Sequence, residues 1–159
     1  MIHSDSPEVI AFWQAFCEET GVPLDVHYHA RTFSDPRISN VTDDIAELAR
    51  QGKKRGTAHL LLDFEKNEVP QREPGDYFMV LNGGLQPQCM VRCTNKVVVP
   101  FCDVTPTFAA SEGEGDLSLA YWITAHKRYF LKQLSQWGMD WDESLPVVCE
   151  NFELVWPIS

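Results

Sequence analysis

Apolar residues recur at helical spacing in four stretches of the chain and alternate in several others. The first helical stripe is Val9, Phe12, Trp13 and Phe16. Ser6 stands in the capping position before it, Pro7 in the first helical position, and Glu8 where the helix dipole favours an acid. Gly21 ends the helix. A second helix is predicted over 40–51, with Ile45, Leu48 and Ala49 on one face, Asn40 or Thr42 as its cap, and Gly52 as its C-terminal glycine. Thr105-Pro106 opens a short helix that contains Phe108 and Ala109. The longest helix is predicted from a cap at Asp116 to Trp137, stopped by Gly138, with Leu119, Trp122, Ile123, His126, Phe130, Leu134 and Trp137 as its buried stripe.

Between these helices the period changes to two. Residues 57–64 place Ala58, Leu60, Leu62 and Phe64 on one face of a strand. Residues 65–75 are polar, carry two prolines and read as a long exposed loop. Residues 77–82 and 85–94 read as a hairpin around Gly83-Gly84. A turn at Asn95 then separates a further strand that starts at Val97, and the last strand covers 145–156. Residues 22–31 read as extended, which sets His27 and His29 on one face. With no third ligand nearby, that pair carries no metal assignment. The predicted class is α+β: one domain over 1–159, a small mixed or antiparallel β-barrel, closed or nearly closed, with helices at its rim.

Composition changes the picture in two ways. The 159 residues carry a net charge of -10, with 23 acidic against 13 basic side chains. That argues against a protein that coats double-stranded DNA by charge alone. An anionic ligand would have to be drawn to one of two basic groups. One is Arg50, Lys53, Lys54 and Arg55; the other is Lys127, Arg128 and Lys132 on the long helix. Five scattered cysteines, none in a CxxC pair, read as reduced thiols in a cytoplasmic protein. No apolar run has the length of a membrane span, and the N-terminus has no signal-peptide pattern.

Three groups of residues carry candidate chemistry. Lys53-Lys54-Arg55 leads into Thr57 at the start of a strand. A lysine acts as a base when burial or neighbouring cations lower its pKa, and a threonine hydroxyl becomes a nucleophile when a base takes its proton. Glu112-Gly113-Glu114-Gly115-Asp116 precedes the long helix. Its acids suit a helix N-terminus, and its glycines permit close approach of another group. Tyr121 lies off the buried stripe, where it can stack on a base, while His126 lies on the stripe as a core histidine.

Taken in order, these residues resemble the ASCH-domain family. The match runs through Gly52 to Thr57, Pro74 to Tyr77, Phe108 to Trp122, His126, and Val147 to Phe152, covering roughly 33–156. The small stand-alone bacterial branch is the most similar. The resemblance implies a PUA-like barrel and RNA, a nucleotide or a nucleoside as ligand. Family members carry a lysine two places, and a threonine or serine five places, after the glycine; here these are Lys54 and Thr57. The glutamate of the family maps to Glu112, less closely to Glu114. Some small members resemble amidohydrolases of N4-acylated cytidine that use lysine, threonine and glutamate; others are described as ribonucleases. The resemblance therefore implies a protein that acts on or binds RNA or nucleosides, first as a metal-independent ribonuclease, with an amidohydrolase of N4-acylated cytidine nucleosides or a non-catalytic RNA-binding module as the alternatives. No metal or other cofactor is expected. The implied catalytic residues are Lys54, Thr57 and Glu112, and the implied substrate contacts are Lys53, Arg55, Glu114 and Tyr121. In ribonuclease chemistry Lys54 would take the 2′-OH proton; in amide hydrolysis it would activate Thr57 or a water, with Glu112 relaying the proton to the leaving amine. The chain departs from the family pattern at Arg55 and Gly56, at His59, where a serine is common, and at Ile123, where a basic residue often follows the Tyr-Trp pair.

Overall fold

A computed structural model describes residues 1–157. Helix α1 (Pro7–Thr20) is followed by strand β1 (Tyr28–Thr32), helix α2 (Thr42–Arg50), strand β2 (Gly56–Leu60) and helix α3 (Leu61–Asn67). Strands β3 (Tyr77–Leu81) and β4 (Pro87–Pro100) come next, then a 3-10 turn, helices α4 (Pro106–Ser111) and α5 (Leu119–Trp137), and strand β5 (Pro146–Trp156). The five strands form one sheet in the order β1-β3-β4-β5-β2. Only β1 and β3 run parallel; the other pairs are antiparallel. The sheet is a curled half-barrel with helices around it, an α+β fold.

Helix α1 forms as its signals require. The Ser6 side chain accepts from Val9 N, Pro7 takes the first turn, and Gly21 closes it at φ 80. Val9, Trp13 and Phe16 are buried against Met79, Leu81 and Met90 of the sheet. Helix α2 packs Ile45, Ala46 and Ala49 against Phe78, Val80 and Phe152, and α5 sets Trp122, Phe130 and Leu134 on Ala58, Leu60 and Val147. The sheet is covered on more than one side, so all five residues of β2 are buried.

Several predicted boundaries move for identifiable reasons. The strand predicted over 57–64 stops at Leu60, because residue 61 begins α3. There Phe64 buries against Met1 and Val148 with Leu61 packed alongside, a helical pairing three residues apart. The loop predicted from 65 onward therefore starts later, and it is not wholly exposed: Arg72 is 1% exposed. Its Nη2 donates to Glu150 Oε2 on β5 at 2.6 Å and its Nε to the same oxygen at 2.9 Å. The turn at Asn95 is a bulge inside one continuous strand, with a register shift between Cys93 and Asn95. Bulges bend a strand and increase its twist, which lets β4 pair with β3 along one half and with β5 along most of its length. Helix α2 has Val41 as its cap residue, with no side-chain capping bond, rather than Asn40 or Thr42. Helix α5 is capped by Ser118, whose hydroxyl accepts from Tyr121 N; Asp116 instead accepts from Ser118 N. Ile123 is 40% exposed and so is not part of the buried stripe.

His29 ties β1 to the turn before β3. Its Nε2 lies 2.9 Å from Asp76 Oδ2, and its Nδ1 lies 3.0 Å from Nη2 of Arg31. Arginine only donates, so Nδ1 is the acceptor and Nε2 carries the hydrogen. Burial pushes the His29 pKa down from 6.5 to about 4, against the pull of Asp76. The unfolded chain therefore binds a proton here at a higher pH than the folded one. Stability is expected to fall as pH drops from about 6.5 through 4, and denaturant midpoints at pH 7.5, 5.5 and 4 check this. His29→Gln is expected to flatten the curve in that window.

Candidate functional site

Two loops meet at the start of β2. Behind α2, Gly52 adopts φ 74, and the backbone N–H groups of Lys53 and Lys54 both bond Leu48 O. This turns the chain so that Lys54 points inward while Lys53 and Arg55 remain exposed. Arg55 N then bonds Ser111 O at 2.7 Å, and Phe152 N bonds Arg55 O at 3.0 Å. The loop after α4 is thereby fixed against the loop before β2. Gly56 fits this junction because a Cβ there would lie 2.5 Å from Ser111 Oγ.

The glycines between the acids have the same explanation. Gly113 sits at φ 72, and a Cβ on it would lie 2.5 Å from Lys53 O. Gly115 sits at φ 58 under the ring of Tyr121, which a Cβ would meet at 2.5 Å. The close approach that these glycines permit is thus made by the protein's own backbone and by Tyr121. Gly113→Ala is expected to lower the melting temperature more than Gly138→Ala. Gly138 has φ 65 with nothing within 4 Å of its added Cβ, so it reads the left-handed backbone cost alone, about 1–2 kcal/mol. Equal shifts in a thermal scan would mean that the Lys53 contact gives way freely.

The junction holds a buried charge cluster. Lys54 Nζ donates to Glu112 Oε1 at 2.9 Å and to Glu114 Oε2 at 3.2 Å, and it lies 5.0 Å from the centroid of the Phe33 ring. Lys54 and Glu112 are each 2% exposed. Glu112 Oε2 also accepts from the Trp122 indole N–H and lies 3.0 Å from His126 Nε2. His126 Nδ1 lies 2.9 Å from Trp122 O, and the two rings stack with centroids 4.1 Å apart. Both ring nitrogens of His126 face acceptors, so the geometry is that of the doubly protonated imidazolium. Burial would lower its pKa, but the Glu112 carboxylate outweighs burial and raises it.

This cluster changes the roles expected of its members. Burial alone would lower the Lys54 pKa, yet Glu112 and Glu114 raise it above the ordinary lysine value. Lys53 and Arg55, the cations expected to lower it, are exposed outside the cleft. Lys54 is therefore a fixed ammonium and not a proton acceptor. Burial would raise the Glu112 carboxyl, but His126 and Lys54 hold it well below the usual carboxylate range, so it is a poor proton relay at neutral pH. Both are suited to electrostatic work. Glu112, Glu114 and His126 offer ligand atoms within 4.8 Å of one another. A cation there would have to displace the Lys54 ammonium from both carboxylates and strip the proton that His126 directs at Glu112.

A cleft of about 190 Å³ opens beside the cluster. Lys54, Thr57, Glu112, Glu114 and Tyr121 line it, five of the seven residues singled out in the sequence. Phe33, Ile45 and Ala58 supply apolar wall, and Ser34 and Asn40 polar groups from the segment after β1. Arg128 and Lys132 of α5 stand at its exposed side. The second basic group of the sequence thus supplies the cleft's cations along with Lys54. Lys127 is engaged elsewhere, with Glu143 at 3.1 Å.

The family model described as ASCH domain matches residues 29–156. The chain belongs to the ASCH-domain family. Two solved structures are similar over nearly the whole chain. An ASCH domain from Lactobacillus crispatus JV V101 shares 25% identity, covers 94% of each chain and superposes with a TM-score of 0.80. A protein from Enterococcus faecalis V583 shares 27% identity over 93% of this chain and 88% of its own, with a TM-score of 0.77. No curated protein matches the sequence. In this ASCH domain, residues far apart in the chain converge: Lys54 and Glu112 are 58 positions apart and in contact.

Behind Thr57 lies a second polar group that periodicity did not reveal. Thr57 Oγ1 is 3.3 Å from His59 Nε2, and His59 Nδ1 is 3.5 Å from Asp63 Oδ2. Asp63 also receives the amino nitrogen of Met1 at 3.2 Å and Asn67 Nδ2 at 2.6 Å. Histidine 59 was visible only as a departure from the family's usual serine. Asp63 lies within the stretch 57–64 predicted as a strand, and the turn into α3 is what brings it under His59. Burial would raise the Asp63 carboxyl, but the His59 bond and the terminal amine lower it from 3.8 to about 2. Its contribution to stability is present above pH 3.8 and is expected to disappear as pH falls through 2. Asp63→Asn should remove the part of the acid transition lying in this window, read by denaturant midpoints at pH 4 and 2.5.

Proposed function

We propose that this ASCH domain is a hydrolase of small N-acylated cytidine nucleosides. The observation that carries this reading is the convergence of Lys54, Thr57 and Glu112 on one small cleft. These are the positions that match the lysine, threonine and glutamate of the family's amidohydrolases. The cleft is smaller than the roughly 300–1,000 Å³ of drug-sized sites, which suits a base or nucleoside better than a tracked strand. The net charge of -10 favours the same ligand class.

In this reading Thr57 Oγ attacks the acyl carbon. The Lys54 ammonium stabilises the negative charge that develops on the carbonyl oxygen, and Glu112 holds that ammonium in place. Tyr121 is 44% exposed at the cleft and offers a face for the base, while Arg128 and Lys132 suit a sugar or phosphate edge. Cleavage of RNA by Lys54 acting as base is not supported, since its surroundings raise its pKa. The five free thiols support a reducing, cytoplasmic setting.

The test is incubation of the pure protein with N4-acetylcytidine and, separately, with a short single-stranded RNA. The expected result is cytidine and acetate from the first and intact RNA from the second. Chelation by EDTA is expected to leave the rate unchanged, because Lys54 and His126 already neutralise the carboxylates. RNA cleavage without nucleoside turnover would reverse the assignment. Binding of RNA with a steep salt dependence, and turnover of neither, would make the domain a binding module.

A further inference from the structure

We propose that His59 is the general base for Thr57 and that Asp63 is the positioning residue that fixes the His59 ring. This rests on the reading of Thr57 as the nucleophile of an acyl transfer. Lys54 does not fill this part, because an ammonium held by two carboxylates has donors only. Among the described residues Thr57 has one side-chain partner, and that partner is His59 Nε2 at 3.3 Å. The pairing follows from the strand: residues two apart on β2 project to the same face.

Asp63 sets the tautomer. Its Oδ2 lies 3.5 Å from His59 Nδ1 and can only accept, so Nδ1 carries the hydrogen and Nε2 presents its lone pair to the threonine hydroxyl. Chain order makes this possible. Strand β2 breaks into α3 after Leu60, and the first turn of that helix brings Asp63 under the ring four residues back. Hydroxyl, imidazole and carboxylate thus follow the order of the serine-hydrolase relay, assembled within seven residues of chain. The groups facing His59 from other elements are Arg72 of the loop before β3 and Glu150 of β5, which bond one another. Burial lowers the His59 pKa, which keeps the ring neutral and able to accept a proton near pH 7.

Thr57 Oγ bonds to the acyl carbon while its proton passes to His59 Nε2. The tetrahedral adduct collapses, the carbon–nitrogen bond breaks, and the departing amine takes that proton. A water then adds to the Thr57 ester, giving its proton to His59 Nε2. Collapse releases the carboxylic acid, and the proton returns to Oγ. The sum is amide and water to amine and acid.

The test uses N4-acetylcytidine and, as a second acyl donor, p-nitrophenyl acetate, with Thr57 acetylation read by mass spectrometry. His59→Gln is expected to lower kcat by roughly 10²–10⁴-fold with a smaller change in KM. Wild type is expected to show an acidic limb in kcat/KM below pH 6.5 that His59→Gln lacks and Asp63→Asn displaces. Nitrogen-15 shifts of His59 in the wild-type protein should report the Nδ1–H tautomer, a readout that needs no variant to fold. Wild-type kcat and an intact acidic limb in His59→Gln would overturn the proposal, as would an Nε2–H tautomer. If wild type leaves N4-acetylcytidine untouched but p-nitrophenyl acetate acetylates Thr57 in a His59-dependent way, the relay stands and only the substrate assignment fails. If Thr57 is never acetylated, the relay is overturned.

Discussion

Lys54→Met is expected to destabilise the protein by about 3 kcal/mol, the low end for breaking a buried ion pair, because the His126 imidazolium still faces Glu112. The methionine fills much of the same volume and keeps contact with Phe33, so packing changes little. What changes is Glu112, 2% exposed, which would retain only His126 and the Trp122 indole. A second substitution separates charge from shape. Lys54→Met combined with Glu112→Gln removes both charges of the pair and lets His126 lose its proton, and so should recover part of the lost stability. Activity should not recover, because the ammonium that faces the developing oxyanion is gone. The loss expected from removing that donor is about 10²–10³-fold in kcat. Guanidinium midpoints and turnover of N4-acetylcytidine, measured on the wild type, both single variants and the double variant, check the two statements independently. Equal destabilisation of the single and double variants would assign the cost to packing and not to the unpaired carboxylate.

Thr57→Ala is expected to cut kcat/KM by roughly 10⁴-fold while shifting stability by no more than about 1 kcal/mol. Among the described residues the hydroxyl has a single side-chain partner, His59, and the truncation leaves a small space beside the cleft. Thr57→Ser keeps an oxygen at the same place and should retain activity within about tenfold. Thr57→Val preserves shape without the hydroxyl and should be as inactive as alanine. That series distinguishes a nucleophile from a wall residue: a wall residue would tolerate valine better than serine. Binding of cytidine by the inactive variants, followed by calorimetry, should stay near wild type. Loss of binding in step with loss of turnover would make Thr57 a contact residue instead.

The two chemical groups of this protein were unequally visible in its sequence. Lys54, Thr57 and Glu112 could be singled out because they stand in short stretches with glycines where simple elements need none. The helices were legible for the same local reason. Ser6-Pro7, Thr105-Pro106, Gly21 and Gly138 are start and stop signals whose physics lies within one turn of the chain. The hairpin at Gly83-Gly84 was legible likewise. Alternation failed at Leu62 and Phe64, because both faces of β2 are covered and apolar spacing there does not distinguish a strand from the first turn of α3.

The sequence by itself determined the α+β class and most of the element order, with α3 hidden in a predicted strand and β4 read as two strands, and it singled out Lys54, Thr57 and Glu112 but not His59 and Asp63. Only the tertiary structure decided their charge states and partners. Lys54 reads as a candidate base while Lys53 and Arg55 are its known neighbours. It becomes a permanent ammonium once Glu112 and Glu114 arrive from 58 and 60 residues away. His126 changes from core filler to imidazolium for the same reason, and Lys53 and Arg55 drop out of the cleft because the Gly52 turn leaves them exposed while Lys54 goes in. Arg72, apparently a loop residue, became the buried partner of Glu150. A pKa depends on which charges stand within a few ångströms and on how much water is excluded, and neither quantity is local in the chain.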